Sequence, residues 1–513
     1  MSENGEHSTQ FPLGWCQFDW GGDGVTTNDS GLYAAFKAGD SRFDGRVFVG
    51  ISSTGIYCRP VCRARPAKPE NCTFFGSAAE AEHSGYRPCL LCRPELAPGT
   101  SVMEASGNLA RRAARFLQEN CRSEQGLSEV AKRLGCSDRH LRRVFAAEFN
   151  VTPVQYLQTC RLLLAKGLLT DTALPVVDVA MAAGFGSLRR FNAMFKERYD
   201  LPPTQLRKKL PAERRLGGVT VKLGYRPPYL WDQVLDFLAA RAIAGVEVVR
   251  DGEYLRTVQL EDGAGQIVCG WVRVTHAAQA NALEVTVSET LVPVLPHILA
   301  RIRCLFDLSC DPTAVYETLE HMNEIQPGLA VAGTRVPGCF DAFEMAARAV
   351  LGQQVTVKAA GTLAGRIVER YGRPVETGID GLTHVFPGAG NVVAMGDDVA
   401  GNFGVLGVTS ARSTTIAELA RALVDESIDF HLPARPEEEI AKLKKIRGIG
   451  PWTAQYIAMR AMEWPDAFLE TDVGVRKALP GRTPRELVEL AEEWRPWRSY
   501  ATVNLWNSLS RLA

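Results

Sequence analysis

Four cysteines set the first boundary condition on this chain. Three residues separate Cys58 from Cys62, two separate Cys89 from Cys92, and 26 lie between the pairs. Such short intervals let both thiolates of a pair converge on one ion at ~2.3 Å, so the pattern points to two turns folded around a tetrahedral Zn2+. The 513-residue sequence holds 13 cysteines, and its first ten residues are polar, with no apolar segment behind a basic start. Reduced thiols and one Zn2+ in a cytoplasmic protein are therefore expected, rather than the disulfide framework of an exported one. Residues 20–100 are rich in Gly, Cys and Arg, with β-like runs such as 46–51 and no long helical period, which predicts a small zinc-stapled α/β domain. Arg59, Arg63, Arg65, Arg87 and Arg93 crowd the four cysteines, as a phosphate-facing site requires. Spacing leaves two readings open: a closed structural zinc, or a metal-held thiolate that is also a nucleophile. Cys72 lies outside the ligand spacing and reads as a small core residue.

The remaining length calls for further domains, three or four in all. Hydrophobic residues are 46% and charged residues 23% of the chain, and no apolar run approaches the ~20 residues that span a bilayer, which excludes a membrane protein. The net charge is zero, yet residues 101–215 hold 20 Lys and Arg against 11 Asp and Glu. That local excess is the footprint of a polyanion binder. Within 101–210 a unit repeats: Glu129-Val130-Ala131 and Gly135 return 49 residues later as Asp178-Val179-Ala180 and Gly184. Each copy reads as helix, Gly turn, helix, over 127–149 and 176–199, and each ends on Pro. Arg139, Arg142 and Arg143 on one second helix, and Arg189 and Arg190 on the other, favour DNA over a plain bundle with solvated faces.

A Pro- and Gly-containing charged stretch at 210–218 breaks the period and reads as a linker. Alternating runs at 246–249 and 283–287, with a helix near 231–241, predict an antiparallel α+β domain over 219–329. From 330 to 513 the pattern is helical, with helices expected at 342–351, 357–371, 410–424, 437–446, 453–461 and 484–494. The expected architecture is a multidomain α+β chain: zinc-stapled domain, all-α tandem helix-turn-helix, antiparallel sheet, all-α helical domain. In the last of these, Arg447-Gly448-Ile449-Gly450-Pro451-Trp452-Thr453 reads as a hairpin between helices, whose Gly448 and Gly450 let backbone N–H groups approach a phosphate. Asp472 follows Trp452 by 20 residues. By itself it reads as a helix N-cap, and only the surrounding constellation favours a catalytic carboxylate.

These motifs resemble known families. Text from Arg42-Phe43-Asp44-Gly45 through Thr54-Gly55-Ile56-Tyr57-Cys58-Arg59-Pro60 to Gly85-Tyr86-Arg87-Pro88-Cys89 resembles the N-terminal domain of the Ada adaptive-response family. The resemblance implies that Cys58 accepts a methyl group from a DNA methylphosphotriester, with Cys58, Cys62, Cys89 and Cys92 as zinc ligands and Arg59 and Arg65 toward the phosphates. The double helical unit looks like the AraC family, which implies promoter DNA contacts by Arg142, Arg143, Arg189 and Arg190, transcriptional activation and RNA polymerase as partner. From residue 219 onward, Leu351-Gly352-Gln353-Gln354-Val355, the hairpin, Asp472 and Pro496-Trp497-Arg498 resemble the helix-hairpin-helix glycosylases of AlkA type.

That likeness implies hydrolysis of the N-glycosidic bond of alkylated bases such as 3-methyladenine. It makes Asp472 catalytic and Trp452, Tyr456 and Trp506 the base pocket, with Gln354, Gly448, Gly450 and Thr453 on double-stranded DNA. Trp452 occupies the place of the lyase lysine, which implies a monofunctional enzyme. Gln354 stands where the family's wedge is often Leu, and the Pro-Cys-His-Arg motif of a second methyl acceptor is absent from the sequence. Two functional classes remain: a regulator joined to an active glycosylase, and a methylation-sensing regulator whose glycosylase half serves only DNA binding.

Overall fold

The computed structural model describes residues 29–99, 109–121, 127–207, 218–262, 265–431, 433 and 435–511. The polar terminus and, apart from Gly218, the 210–218 linker lie outside them. The first unit is a four-stranded sheet of order β3-β1-β2-β4, with β1 (Phe48–Ile51), β2 (Ile56–Cys58), β3 (Cys72–Phe75) and β4 (Arg87–Pro88). β1 runs antiparallel to β2 and β3, whereas β4 lies parallel to β2 with Tyr57 opposite Pro88. That parallel pairing is what matters for the cysteines, because Cys58 and Cys89 leave the two strands side by side. The helix α1 (Asp29–Ala38) is an addition to the sequence reading, its Leu32, Ala35 and Phe36 buried on the sheet. A single ten-residue helix is too short to leave a sustained period in a Gly-rich stretch.

Further helices follow: α2 (Ala78–His83), α3 (Leu109–Glu119), α4 (Leu127–Arg133), α5 (Asp138–Phe149), α6 (Pro153–Asp171), α7 (Val176–Ala182) and α8 (Leu188–Tyr199). The helix-turn-helix pairs are α4/α5 and α7/α8, as the repeat predicts. Ser137 and Ser187 cap the second helix of each, and Gly135 and Gly184 turn at φ 73° and 85°, where a side chain is disfavoured. The 19-residue α6 joins the units and begins with Pro153 in a Thr152/Gln155 capping box. It buries Leu162, Ala165, Lys166, Leu168 and Leu169, too many directions for one stripe, which is why no amphipathic period announced it.

The sheet of the C-terminal half is antiparallel, of order β5-β9-β8-β7-β6: β5 (Val219–Gly224), β6 (Glu247–Arg250), β7 (Glu253–Glu261), β8 (Ile267–Ala277) and β9 (Ala282–Val287). The helix α9 (Trp231–Ala239) packs with it. Helices predicted at 342–351, 357–371 and 410–424 are observed at those bounds, as α10 (Ala342–Leu351), α11 (Val357–Tyr371) and α12 (Ser410–Val424). The remaining helices that build the site are α13 (Pro436–Leu443), α14 (Pro451–Ala461), α15 (Val473–Ala478) and α16 (Arg498–Arg511). One short hairpin, Arg373–Pro374 with His384–Val385, interrupts the expected all-helical run. Two joins were not legible. The buried residues of α6 to α8, such as Leu162, Phe191 and Tyr199, form one continuous core with Val221, Tyr254 and Leu291 of the C-terminal half. Residues Cys310 to Val336 pack into the C-terminal helices, against Leu469, Trp494 and Leu505.

Candidate metal centre, DNA-reading helices and base pocket

The four predicted cysteines converge. Their Sγ atoms all lie within 4.8 Å of one another, compared with an edge of about 3.8 Å for a tetrahedron of ~2.3 Å Zn–S bonds, and none is in a disulfide. Four thiolates packed this closely repel, and the sulfurs respond by sharing protons: hydrogen bonding with Cys62, the largest influence, pushes the Cys58 thiol far up, while hydrogen bonding with Cys58 holds Cys89 far down. A soft divalent cation is the group whose charge lets all four ionise together, so the donor set fits zinc. Backbone N–H groups address three of the sulfurs: Ala64 that of Cys62, Cys92 that of Cys89, and Arg59 that of Cys92 at 3.3 Å.

The arginines around the cluster divide by role. Arg63 and Arg65 are exposed. Arg59, expected on DNA phosphates, instead grips Asp44 through two nitrogens and the Cys92 carbonyl at 3.1 Å, with its side chain only 11% exposed. The buried Asp44 carboxylate needs a cation, and Arg59 supplies one. Arg93, directly after Cys92, forks onto Asp171 of α6 with two bonds of 2.7 Å and onto Glu95 at 2.9 Å. Lys166 of the same helix, almost fully buried, meets Glu95 at 2.5 Å. On the other side of the cluster Tyr57, adjacent to Cys58, donates to the buried Glu82 at 3.0 Å, and Thr159 of α6 and Tyr199 of α8 donate to the same carboxylate. Neighbours of two cysteine ligands are thereby tied to the helix-turn-helix units.

Arg142, Arg143, Arg189 and Arg190 are all exposed near the starts of α5 and α8. Arg142 pairs with Asp138 one turn away, and Arg143 lies 3.1 Å from the His140 ring. These are local surface pairs of the kind that yields easily to a phosphate.

Asp472 is the helix N-cap that the sequence allowed, and it also accepts from two indoles. Its Oδ1 caps α15 by accepting from the Gly474 and Val475 amides at 2.8 and 3.1 Å, and the same oxygen accepts from Trp506 Nε1 at 2.8 Å. Oδ2 accepts from Trp452 Nε1 at 3.1 Å. A Cβ on Gly474 would sit 2.6 Å from the Trp506 ring, so the bare glycine is what admits the indole. Trp452 stacks on Tyr456 at 5.1 Å, and Tyr456 meets Trp506 edge-on at 6.3 Å. The predicted pocket residues are therefore together, around the carboxylate.

One further ring was not legible in the sequence. Phe237 of α9 stacks parallel to Trp506 at 6.2 Å and is flanked by the guanidinium groups of Arg241 at 3.7 Å and Arg460 at 4.6 Å. Arg460 also donates to the Tyr456 hydroxyl at 2.9 Å. Burial, the largest influence, pushes the Tyr456 phenol up, but Arg460, Arg241 and Arg348 outweigh it and hold it below that of a free tyrosine. Phe237 lies more than 200 residues before Trp506, and no local pattern could have joined them.

At the hairpin, Gly448 adopts φ 94° and approaches α12 so closely that a Cβ would lie 2.2 Å from Thr415 Oγ1. Gly448 and Gly450 are exposed. Thr453, expected on DNA, is buried, and its hydroxyl accepts from Gln353 Nε2 at 3.0 Å. Gln354 is exposed at φ 55°.

A sulfur-lined metal centre and tandem helix-turn-helix, joined to a helix-hairpin-helix domain with a carboxylate under two tryptophans, define an Ada-type regulator fused to an AlkA-type DNA repair domain. Comparison with known proteins agrees: the metal binding domain of Ada matches residues 31–95, a helix-turn-helix domain 130–209 and the AlkA N-terminal domain 220–341. The "Probable bifunctional transcriptional activator/DNA repair enzyme AlkA" of Mycobacterium tuberculosis is 37% identical over 488 residues, 93% of this chain and 96% of that one. "DNA-3-methyladenine glycosylase 2" of Escherichia coli is 34% identical over 55% of this chain and 95% of its own. "Bifunctional transcriptional activator/DNA repair enzyme Ada" of Escherichia coli is 34% identical over 26% of this chain and 36% of its own. The chain belongs to the family of bifunctional transcriptional activator/DNA repair enzymes AlkA. Among the described residues no helix is long and apolar enough to cross a membrane.

Proposed function

We propose that this chain is a cytoplasmic alkylation-response protein with two chemical centres, a methyl acceptor at Cys58 and a monofunctional glycosylase at Asp472. The domains are taken as 20–100, 101–210, 219–329 and 330–513. Zinc, when bound, holds the cysteine thiols as thiolates at neutral pH. Cys58 is the acceptor in this reading: backbone N–H groups address the sulfurs of Cys62, Cys89 and Cys92 and damp their reactivity. The Cys58 sulfur attacks the methyl carbon of a DNA methylphosphotriester, the C–O bond breaks, and its electron pair returns to the phosphate as the diester anion. Uptake is stoichiometric, since the thioether has no way back. Removing one negative charge from a surface carrying Arg63 and Arg65 strengthens DNA binding. The α5 and α8 arginines then read promoter DNA and RNA polymerase is engaged there.

In the second centre a flipped base enters between Trp452, Tyr456 and Trp506, whose faces attract a cationic alkylated purine more than a neutral one. The N-glycosidic electron pair leaves with the base, and positive charge builds on the sugar. The Asp472 carboxylate, clamped by two indole N–H and two backbone N–H donors, meets that charge and orients the water that adds, and an abasic site remains. This clamp carries the proposal, because a carboxylate needed only as a helix cap does not require Trp452 and Trp506. It also favours an active enzyme over a half retained for DNA binding. The test is single-turnover excision of 3-methyladenine by wild type and Asp472→Asn. Excision is expected to fall about 100-fold or more with DNA affinity nearly unchanged. Undiminished excision, or a borohydride-trapped adduct at this site, refutes it. For the first centre, mass spectrometry after incubation with methylphosphotriester DNA is expected to place one methyl on Cys58, and a methyl on Cys62, Cys89 or Cys92 refutes that half.

A further inference from the structure

The loop after α10 is tied to both the hairpin and α12 through one half-buried residue, Gln353. Gln353 turns inward while its neighbour Gln354 stands exposed in a left-handed conformation. The Gln353 amide donates to the Gly448 carbonyl at 2.8 Å and to Thr453 Oγ1 at 3.0 Å, one bond on each side of the Gly-Ile-Gly turn. Its own carbonyl accepts from Arg412 at the start of α12. The same α12 supports the hairpin from behind, where Thr415 Oγ1 donates to the Arg447 carbonyl at 2.8 Å. Loop, hairpin and helix thus close a triangle of hydrogen bonds whose sides are Gln353 to Gly448, Arg412 to Gln353 and Thr415 to Arg447.

From this geometry we infer that Gln353 is a positioning residue for base extrusion: it fixes the exposed Gln354 at one height relative to the phosphate-gripping hairpin. The inference rests on the glycosylase reading above. A side chain that fills the gap left by an extruded base must hold its position while the backbone is gripped, or restacking wins. A residue with positive φ has few alternative supports, because its own backbone conformation is disfavoured by about 1 kcal/mol or more and persists only where neighbours hold it. Gln353 supplies that hold through its side chain, and Arg412 through the carbonyl of the peptide that joins Gln353 to Gln354. Thr453, read from sequence as a DNA contact, serves in this arrangement as an acceptor inside the protein.

The test separates extrusion from chemistry. Gln353→Met keeps length and removes both donated bonds, and Arg412→Met removes the side toward α12. Single-turnover excision of 3-methyladenine is measured with the full chain on a fully paired duplex and on the same duplex with an abasic site opposite the target, where the base leaves the stack easily. Each variant is expected to lose roughly tenfold on the paired duplex and less than twofold on the gapped one. The double variant Gln353→Met/Gln354→Ala is expected to be no slower than Gln354→Ala alone, because Gln353 acts through Gln354. Equal losses on both duplexes, or additive losses in the double variant, overturn the positioning role while leaving the glycosylase reading intact. Wild type that excises from neither duplex refutes the glycosylase reading and this inference with it. Unfolding of Gln353→Met does not decide the matter, since the Arg412→Met arm reads the same triangle.

Discussion

Replacing Glu82 by Gln removes one ionisable carboxyl from the junction between the zinc domain and the helix-turn-helix units. Glu82 is 2% exposed and accepts from Tyr57, Thr159 and Tyr199. Burial, the largest influence, outweighs these donors and the nearby Arg198 and raises the carboxyl to about 7, against 4.5 for a free glutamate. Between those values the folded chain holds a proton that the unfolded chain has released. The contribution to stability is therefore complete below pH 4.5 and is lost as the pH rises through about 7. The interval corresponds to about 3 kcal/mol. Gln has the shape of the protonated acid and cannot ionise. Glu82→Gln and wild type are expected to match at pH 4, and at pH 8 the variant is expected to be the more stable by about 3 kcal/mol, or roughly two orders of magnitude in local opening. Hydrogen exchange of the full chain, followed on peptides 78–83 and 153–171 and corrected for intrinsic rates at each pH, reads this directly. The contribution of other titrating groups such as Asp307, also raised to about 7 by burial, cancels in the difference. A difference between the proteins that is the same at pH 4 and pH 8 refutes the assignment of a titrating carboxyl to this junction.

Three further outcomes are expected. Lys166→Met strips Glu95 of one of its two cations in a buried site, and is expected to lower stability by about 3 kcal/mol in thermal or urea unfolding, with little pH dependence between 6 and 8. Asp44→Asn frees the Arg59 guanidinium that braces the Cys92 carbonyl, and zinc loss to a chelator, followed by a colorimetric indicator, is expected to be about tenfold faster. Gly448→Ala places a methyl against Thr415 at a left-handed turn, so duplex binding by the glycosylase half is expected to weaken at least tenfold in a titration, with methyl uptake at Cys58 unchanged.

What could be read from the chain without its fold was everything carried by short spacing or steady period. The two cysteine pairs, the repeated helix-turn-helix with Gly135 and Gly184, and the helices Ala342–Leu351, Val357–Tyr371 and Ser410–Val424 all depend on residues within a turn or two of one another. Local sterics and capping decide such features, so they are legible before the chain folds. The tertiary structure decided the rest. Asp472 could be named but not its clamp, since Trp506 reaches it from another helix and Phe237 stacks on Trp506 from another layer. Arg59 and Thr453 carried polar groups that looked destined for DNA, and each was claimed by an internal partner, Asp44 and Gln353, which sequence separation hid. Two buried junctions, Glu82 with Tyr57 and Tyr199, and Arg93 with Asp171, join segments 78 to 117 residues apart at their furthest. A buried charge must find its partner wherever packing brings one, and packing is a property of the whole chain.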